Sequence, residues 1–82
     1  MKGDIVSNVV EYLAKEIVED AESVEVTIVE EGPDEVLAEV RTAKSDMGRV
    51  IGRRGRVARA IRSVAQVAAE EEGLDSNVEF VD

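Results

Sequence analysis

Residues 47–56 read Met47-Gly48-Arg49-Val50-Ile51-Gly52-Arg53-Arg54-Gly55-Arg56. Two glycines bracket two arginines at positions 52–55, an apolar pair precedes them, and a helical pattern of apolar residues follows. Glycine lacks a Cβ atom, so it adopts positive φ angles without a steric penalty and lets another backbone come close. We therefore predict a tight loop at residues 52–55, called the GxxG loop below, between a short helix and a longer one.

The helix that is predicted to follow Gly55 begins without a conventional cap. The first N–H groups of a helix have no intrahelical partner and carry the positive end of the helix dipole, and Ser, Thr, Asp or Asn usually caps them. None of these residue types occurs between Met47 and Ile61. The free donors suit an anion, and Arg53 and Arg54 add positive charge beside them. The loop is therefore predicted to hold nucleic-acid phosphates.

The glycine spacing separates this loop from two other phosphate-binding motifs. Gly48, Gly52 and Gly55 form Gly-x-x-x-Gly-x-x-Gly, which is not the dinucleotide-binding Gly-x-Gly-x-x-Gly, and no Lys-Ser or Lys-Thr follows as in a P-loop. Because Gly-x-x-Gly occurs in many ordinary loops, the motif alone leaves open whether the arginines meet a nucleic acid or only solvent.

Charge is distributed very unevenly along the chain. Residues 41–62 contain eight basic residues and one acid, a net charge of +7, whereas the remainder contains two basic and eighteen acidic residues, a net charge of −16. A nucleic acid responds to the local field rather than to the total charge of −9. Binding is therefore predicted to be confined to this one basic segment.

The composition limits the other functions. We expect residues 1–82 to form a single domain with a small aliphatic core. The chain has no cysteine and no histidine, and its carboxylates lie on scattered faces, so we predict no enzyme activity, no metal site and no cofactor. It also lacks an apolar run long enough to cross a membrane and a leader segment, so we expect a cytoplasmic protein without membrane association.

Periodicity predicts the N-terminal half. Asp4 is expected to cap a helix over residues 5–19, in which Val10 and Val18 widen the apolar arc beyond one packing face. That width is explained either by deep burial or by contact with a second chain. Alternating residues predict strands over 24–28 and 36–41, joined as an antiparallel hairpin by a turn at residues 30–34. The helical apolar positions are Ile5, Val6, Val9, Tyr12, Leu13 and Ile17.

The C-terminal half is predicted to contain two helices and a strand. Ser45 or Asp46 is expected to cap the short helix, and Gly73 to end a helix over residues 56–72. Arg59 and Arg62 are expected to point away from that helix's apolar stripe into solvent, and the acids at 70–72 to serve only solubility. A third strand is predicted over residues 77–81, completing a mixed sheet. The apolar stripe comprises Val57, Ile61, Val64, Ala65 and Ala68.

The order strand, helix, Gly-x-x-Gly, helix, strand resembles the core of a KH domain, and residues 50–61 resemble its signature. The extra N-terminal helix and strand are similar to the bacterial type II arrangement. The whole chain resembles the small stand-alone KH proteins of the KhpA (YlqC) family, through residues 25–27, 46–52, 56–62 and 78–82. The resemblance implies an α+β type II KH fold of order α-β-β-α-(GxxG)-α-β, with three helices on one face of a three-stranded sheet.

The resemblance also implies a function. The GxxG loop would clamp the backbone of a short single-stranded RNA, and bases would lie in a groove between the helices and the sheet edge. Val50 and Ile51 would form its floor, with a core position as the alternative for Ile51. It further implies a homodimer, a larger KhpB (Jag, EloR)-type KH partner, and a role as RNA chaperone or post-transcriptional regulator. The implied RNA-binding residues are Gly52, Arg53, Arg54, Gly55, Arg49, Val50, Ile51, Arg56 and Lys44.

Two features leave a second function open. The variable pair is Arg53-Arg54, where relatives more often carry Lys followed by a neutral residue, and this difference favours phosphate attraction. The strongly acidic remainder is unusual for an RNA-binding protein. The alternative is a protein-interaction scaffold that dimerises with a larger KH partner and does not depend on RNA. The intact loop, free of acids, favours RNA binding over the scaffold.

Overall fold

The computed structural model describes residues 1–81 as three helices and a three-stranded sheet. This arrangement confirms the predicted α+β class and element order. Three single 3₁₀ turns, which the periodicity did not predict, connect the elements. The elements are α1 (Asp4–Ile17), β1 (Glu25–Gly32), β2 (Glu35–Arg41), α2 (Met47–Ile51), α3 (Arg56–Glu71) and β3 (Asp75–Val81).

The sheet has the order β1-β2-β3, with β2 at its centre. β1 pairs antiparallel with β2, as predicted, and β2 pairs parallel with β3, so the sheet is mixed. The turn expected at residues 30–34 is shorter than predicted, because β1 continues to Gly32 through an irregularity after Glu30. Pro33 and Asp34 alone form the turn. The alternating apolar residues of the strands face the helices, where they form the core.

The N-terminus of α1 is capped by a residue from the other end of the chain. The helix begins at Asp4, and Asp4 makes no capping hydrogen bond, contrary to the prediction. Instead, the Glu72 carboxylate accepts hydrogen bonds from the backbone N–H groups of Gly3 at 3.0 Å and Ile5 at 3.1 Å. A third bond comes from Val6 at 3.4 Å. Glu72 therefore ties the end of α3 to the start of α1, a role that the acidic run at 70–72 was not expected to have.

Burial on α1 differs in detail from the wide apolar arc of the sequence. Val10, which was expected to broaden the face, lies at its centre and is fully buried together with Val6 and Ala14. The exposed apolar side chains are instead those of Ile5 and Tyr12. Deep burial thus accounts for the apolar residue at position 10. The part of the apolar arc that extends beyond the packed face is the part that contains Tyr12.

The packed face of α3 is built mainly from alanines. Ala58, Ala65 and Ala69 are buried with Ile61, and small side chains at these positions let the helix approach its neighbours closely. Val64 was predicted to belong to this stripe, but its side chain is 45% exposed. It lies too far around the helix to face the sheet.

The C-terminus of α3 is a Schellman motif, as the glycine at position 73 predicted. Gly73 has a φ of 70°, and the N–H of Leu74 donates to the carbonyl of Ala69 at 2.9 Å. This turn reverses the chain into β3.

Within residues 1–81, no helix is both long enough and apolar enough to span a membrane.

Candidate nucleic-acid interface

The GxxG loop joins α2 to α3 through one 3₁₀ turn. Gly52 ends α2 with φ 74° and ψ 170°, and the N–H of Gly55 donates to the Gly52 carbonyl at 3.1 Å. Gly55, with φ 72°, is the residue immediately before α3. The predicted interruption between the two helices therefore exists, and both glycines adopt backbone angles that other residues rarely take.

The two glycines are required for different reasons. A Cβ atom on Gly52 would lie 2.9 Å from the backbone nitrogen of Val57 and would collide with the Val57 side chain. Glycine at position 52 thus allows the close approach of α2 and α3. A Cβ atom on Gly55 would only come within 3.5 Å of Arg59 Nη1, an ordinary contact. Glycine is favoured at position 55 because of the positive φ angle there, and not because a side chain would lack space.

Arg54 is held in an unusual conformation by Arg59. Among residues 1–81 it is the one non-glycine residue with positive φ, at 57°. Its carbonyl oxygen accepts a hydrogen bond from Arg59 Nη1 at 2.8 Å. The prediction that Arg59 is only solvated is therefore wrong. Helical spacing gave the face of Arg59 correctly but could not show that its long side chain folds back over the loop.

The start of α3 has no side-chain cap and lies beside three arginines, although the Arg56 N–H donates to the Arg53 carbonyl within the 3₁₀ turn. Gly55 provides no side-chain cap, which confirms the prediction of an uncapped helix. The side chains of Arg53, Arg54 and Arg56 are all exposed around this end. The positive end of the helix dipole next to three positive side chains forms an environment that favours a phosphate group over a neutral ligand.

Arg49 is more constrained than the other implied site residues. Its guanidinium pairs with the Glu19 carboxylate and, at 3.3 Å, with Asp46 Oδ1. A phosphate would have to compete with these two acids for Arg49. Lys44 is exposed and begins the 3₁₀ turn before α2, so it lies at the opposite end of α2 from the loop.

The apolar pair before the loop divides between core and surface. Val50 is fully buried, whereas the Ile51 side chain is 39% exposed. The resemblance implied that both form the floor of a groove, with a core position as the alternative for Ile51, and the structure reverses these roles. Of these two side chains, only that of Ile51 is accessible to a ligand in the structure, whereas that of Val50 packs in the interior and holds α2 in place.

Asp46 anchors the connector after α1 rather than capping α2. It makes no capping bond; its carboxylate accepts the backbone N–H of Glu19 at 3.1 Å and of Asp20 at 3.0 Å. These two hydrogen bonds, assisted by Arg49, hold the pKa of Asp46 below its usual value, although burial of the side chain opposes the shift. Asp46 thus fixes the segment that leads to the loop, and neither it nor Ser45 caps α2.

Arg62 also has a structural partner, contrary to the prediction that it is merely solvated. Its Nε donates to the Val78 carbonyl at 3.1 Å, and its guanidinium carbon lies 5.8 Å from the centre of the Phe80 ring. Sequence periodicity could not identify this contact, because Val78 and Phe80 belong to β3.

In residues 1–81, no group of three or more acidic side chains is arranged to hold a metal ion.

Comparison with known proteins identifies relatives over most of the chain. The family model described as "KhpA/KhpB, KH domain" matches residues 7–80. The RNA-binding protein KhpA of Clostridium perfringens is 40% identical over 72 residues, covering 88% of this chain and 95% of that protein. The RNA-binding protein KhpA of Borreliella burgdorferi is 34% identical over 73 residues, covering 89% and 88%.

Solved structures with a similar fold are more distant in sequence. A variant of Aquifex aeolicus Era bound to GDP and AlF4⁻ superposes with a TM-score of 0.66 at 20% identity. Era in complex with MgGDPNP and nucleotides 1506–1542 of 16S ribosomal RNA gives the same values. In both cases 93% of this chain is covered, but only 30% of the Era chain. At this identity the similarity concerns the fold alone.

Proposed function

Since the chain belongs to the KhpA/KhpB KH-domain family, we propose that it binds single-stranded RNA at the GxxG loop. The observation that carries this proposal is the uncapped N-terminus of α3 at Gly55, surrounded by the exposed side chains of Arg53, Arg54 and Arg56. The positive end of the α3 dipole attracts phosphate oxygens to the loop, and the three arginines bind them and neutralise the phosphate charge.

The remaining implied site residues have secondary parts in this proposal. Ile51 offers an apolar surface to a base next to the loop, and Val50 keeps α2 in place beneath it. Lys44 attracts a longer strand from the far end of α2. Arg49 contributes only if RNA displaces its acidic partners, Glu19 and Asp46.

The chain acts through binding, as one KH domain over residues 1–82, and we place it in the cytoplasm as an RNA chaperone or post-transcriptional regulator. The relatives named above are RNA-binding proteins. Contacts to the sugar–phosphate backbone carry little sequence information, so the loop itself has low sequence specificity. The acidic remainder of the chain repels RNA elsewhere and restricts binding to the basic segment.

The proposal includes a homodimer and, as a further partner, a KhpB-type KH protein, since one family model describes both KhpA and KhpB. Val64 and Val67 support self-association, because they are 45% and 63% exposed on the outer side of α3. Two copies present two loops to one RNA, and avidity then raises the affinity by about 10²-fold.

The test is a salt-titrated binding assay with a short, labelled single-stranded RNA. The loop variant carries Arg53→Asp and Arg54→Asp. The matched control carries Lys2→Asp and Lys15→Asp, which change the charge equally on surfaces remote from the loop. Circular dichroism verifies that all three proteins are folded.

We expect the wild type and the control to bind and the loop variant to lose binding. If three phosphates are neutralised, log K for the wild type falls with log salt concentration with a slope of about −2. Equal binding by all three proteins would refute the loop as the site. A wild type that binds no RNA at any salt concentration would favour the scaffold function, in which the KH surface only contacts protein partners.

A further inference from the structure

Arg62 is an exposed side chain with a fixed head group. It lies in the seam between α3 and the edge strand β3, where Nε donates to the Val78 carbonyl and the guanidinium lies over Phe80. A hydrogen bond at one edge and an aromatic ring beneath one face restrict the orientation of the guanidinium. The head of Arg62 is therefore more ordered than that of an arginine in free solvent.

The donors on the outer edge of Arg62 remain available. Nε accounts for one of its five N–H groups, and the described chain, residues 1–81, places no acid in a salt bridge with Arg62. The neighbouring polar side chain of the seam, Gln66, donates to Asp75 and Glu70 and accepts from Ser76, so its amide is fully used. The Nη edge of Arg62 is thus the free donor pair of this seam.

Arg62 lies on the same helix face as the GxxG loop. It follows Gly55 by seven residues, or two helical turns, which is about 10 Å along the axis of α3. Arg59 occupies the turn between them and is bound to the loop carbonyl of Arg54. A loop of this type holds about four nucleotides of backbone, so a strand clamped at Gly55 and running along this face brings a base over Arg62.

We propose that Arg62 recognises a base with two adjacent acceptors, which makes it a specificity-determining residue of the RNA site. The inference rests on the proposed RNA binding. The Nη groups form two parallel donors, and guanine matches them with O6 and N7. Cytosine offers O2 and N3, whereas adenine and uracil have no such pair. The loop supplies affinity for the backbone, and Arg62 supplies a preference for guanine or cytosine.

The test compares octamers of single-stranded RNA by competition at one salt concentration. The probes are oligouridine, oligoadenosine, oligocytidine, and oligouridine with one guanosine at each position in turn. We expect the best guanosine or cytidine probe to bind on the order of tenfold more tightly than oligouridine, as for one bidentate contact. If guanosine is preferred, 7-deazaguanosine, which lacks N7, abolishes the preference without any change to the protein.

Arg62→Lys provides the protein-side test, because it retains the charge but lacks the two parallel donors. It should lose the base preference, so that the guanosine and cytidine probes bind no more tightly than oligouridine does. A preference that survives in Arg62→Lys would overturn the inference, as would equal binding of all probes by the wild type. A uniform loss across all sequences in Arg62→Ala, with the salt slope reduced by about one, would identify a phosphate contact instead.

These outcomes separate the two proposals. If the wild type binds no probe, RNA binding itself fails and the role of Arg62 fails with it. If the wild type binds every probe equally through the loop, the proposed function stands and only the base recognition by Arg62 is refuted.

Discussion

Arg59 Nη1 donates a 2.8 Å hydrogen bond to the carbonyl oxygen of Arg54, the residue that has a φ of 57° in the GxxG loop. A left-handed conformation costs a non-glycine residue about 1–2 kcal/mol. A hydrogen bond from a charged donor is strong enough to offset this cost. One arginine of α3 therefore stabilises the strained conformation of another arginine in the loop.

Arg59 should consequently affect RNA binding through geometry rather than through charge. Arg59→Ala is expected to weaken single-stranded RNA binding about fivefold, equivalent to ~1 kcal/mol, and to lower the melting temperature by a few degrees, because the Arg54 conformation loses its hydrogen bond. Arg59→Lys should bind as weakly as Arg59→Ala, because it keeps the charge but has a shorter side chain than the one whose Nη1 donates to the Arg54 carbonyl. Hydrogen exchange at the Gly55 amide should be faster in both variants. Full recovery of affinity in Arg59→Lys would show that only charge matters.

Gly55 and Gly73 form a matched pair for testing the loop. Both have positive φ, at 72° and 70°, and both have room for a Cβ atom. Alanine at either position should cost a similar ~1 kcal/mol of folding stability. Only Gly55→Ala is expected to lower RNA affinity, by about tenfold, because it alone alters the GxxG loop that is proposed to bind phosphate. Parallel losses of affinity in both variants would mean that global stability, not loop geometry, controls binding.

Gly52 and Gly48 test the contact between the helices. Gly52→Ala should destabilise the fold by about 2–3 kcal/mol, since the new Cβ collides with Val57 and the backbone angle is unfavourable. Gly48→Ala, in α2 with no atom within 4 Å of the new Cβ, should stabilise the protein by up to about 1 kcal/mol. Chemical denaturation of both variants measures the difference. A Gly52→Ala protein as stable as the wild type would contradict the packing described here.

Glu72 should contribute to stability, although it belongs to an acidic run at the unfavourable end of α3. Removing its carboxylate in Glu72→Ala leaves the first N–H groups of α1 without an acceptor, at a cost of about 1–2 kcal/mol. Glu71→Ala removes the same charge from an exposed neighbour and should be neutral or slightly stabilising. The two variants are compared by thermal unfolding, and equal effects would argue against the cap.

Asp46 should make stability dependent on acid. Its folded-state pKa lies below the ordinary value of 3.8 because it accepts two backbone hydrogen bonds. Its contribution is therefore complete above about pH 4 and is lost as the pH falls through the folded pKa. Asp46→Asn should be less stable than the wild type at neutral pH, because an amide cannot accept both N–H groups. The gap between the two proteins should narrow below about pH 4.

A pH series of denaturation curves for both proteins measures this gap. The many other carboxylates of the chain affect both proteins alike, so the difference isolates Asp46. A gap that stays constant from neutral pH to pH 3 would contradict the assigned hydrogen bonds.

Local regularities were enough to predict most of the fold. Alternation predicted β1, β2 and β3, helical spacing predicted α1 and α3, and the glycine pair predicted the loop between α2 and α3. The predicted ends of the elements were less accurate where tertiary pairing extended a segment. For example, pairing with β2 extends β1 to Gly32. Val64 was misplaced because an apolar residue at the flank of a stripe is buried only if a neighbouring element reaches it.

Short-range features of the sequence were sufficient to predict the α+β class, the absence of a side-chain cap at the start of α3 and the concentration of positive charge around it. These properties depend on residues that are close together in the chain. The partners of Arg62, Glu72 and Asp46, by contrast, depend on tertiary packing, since they are far away in the chain. Each of these polar side chains could meet several groups, and the choice among them depends on which distant backbone groups the packing of helices on the sheet leaves unpaired.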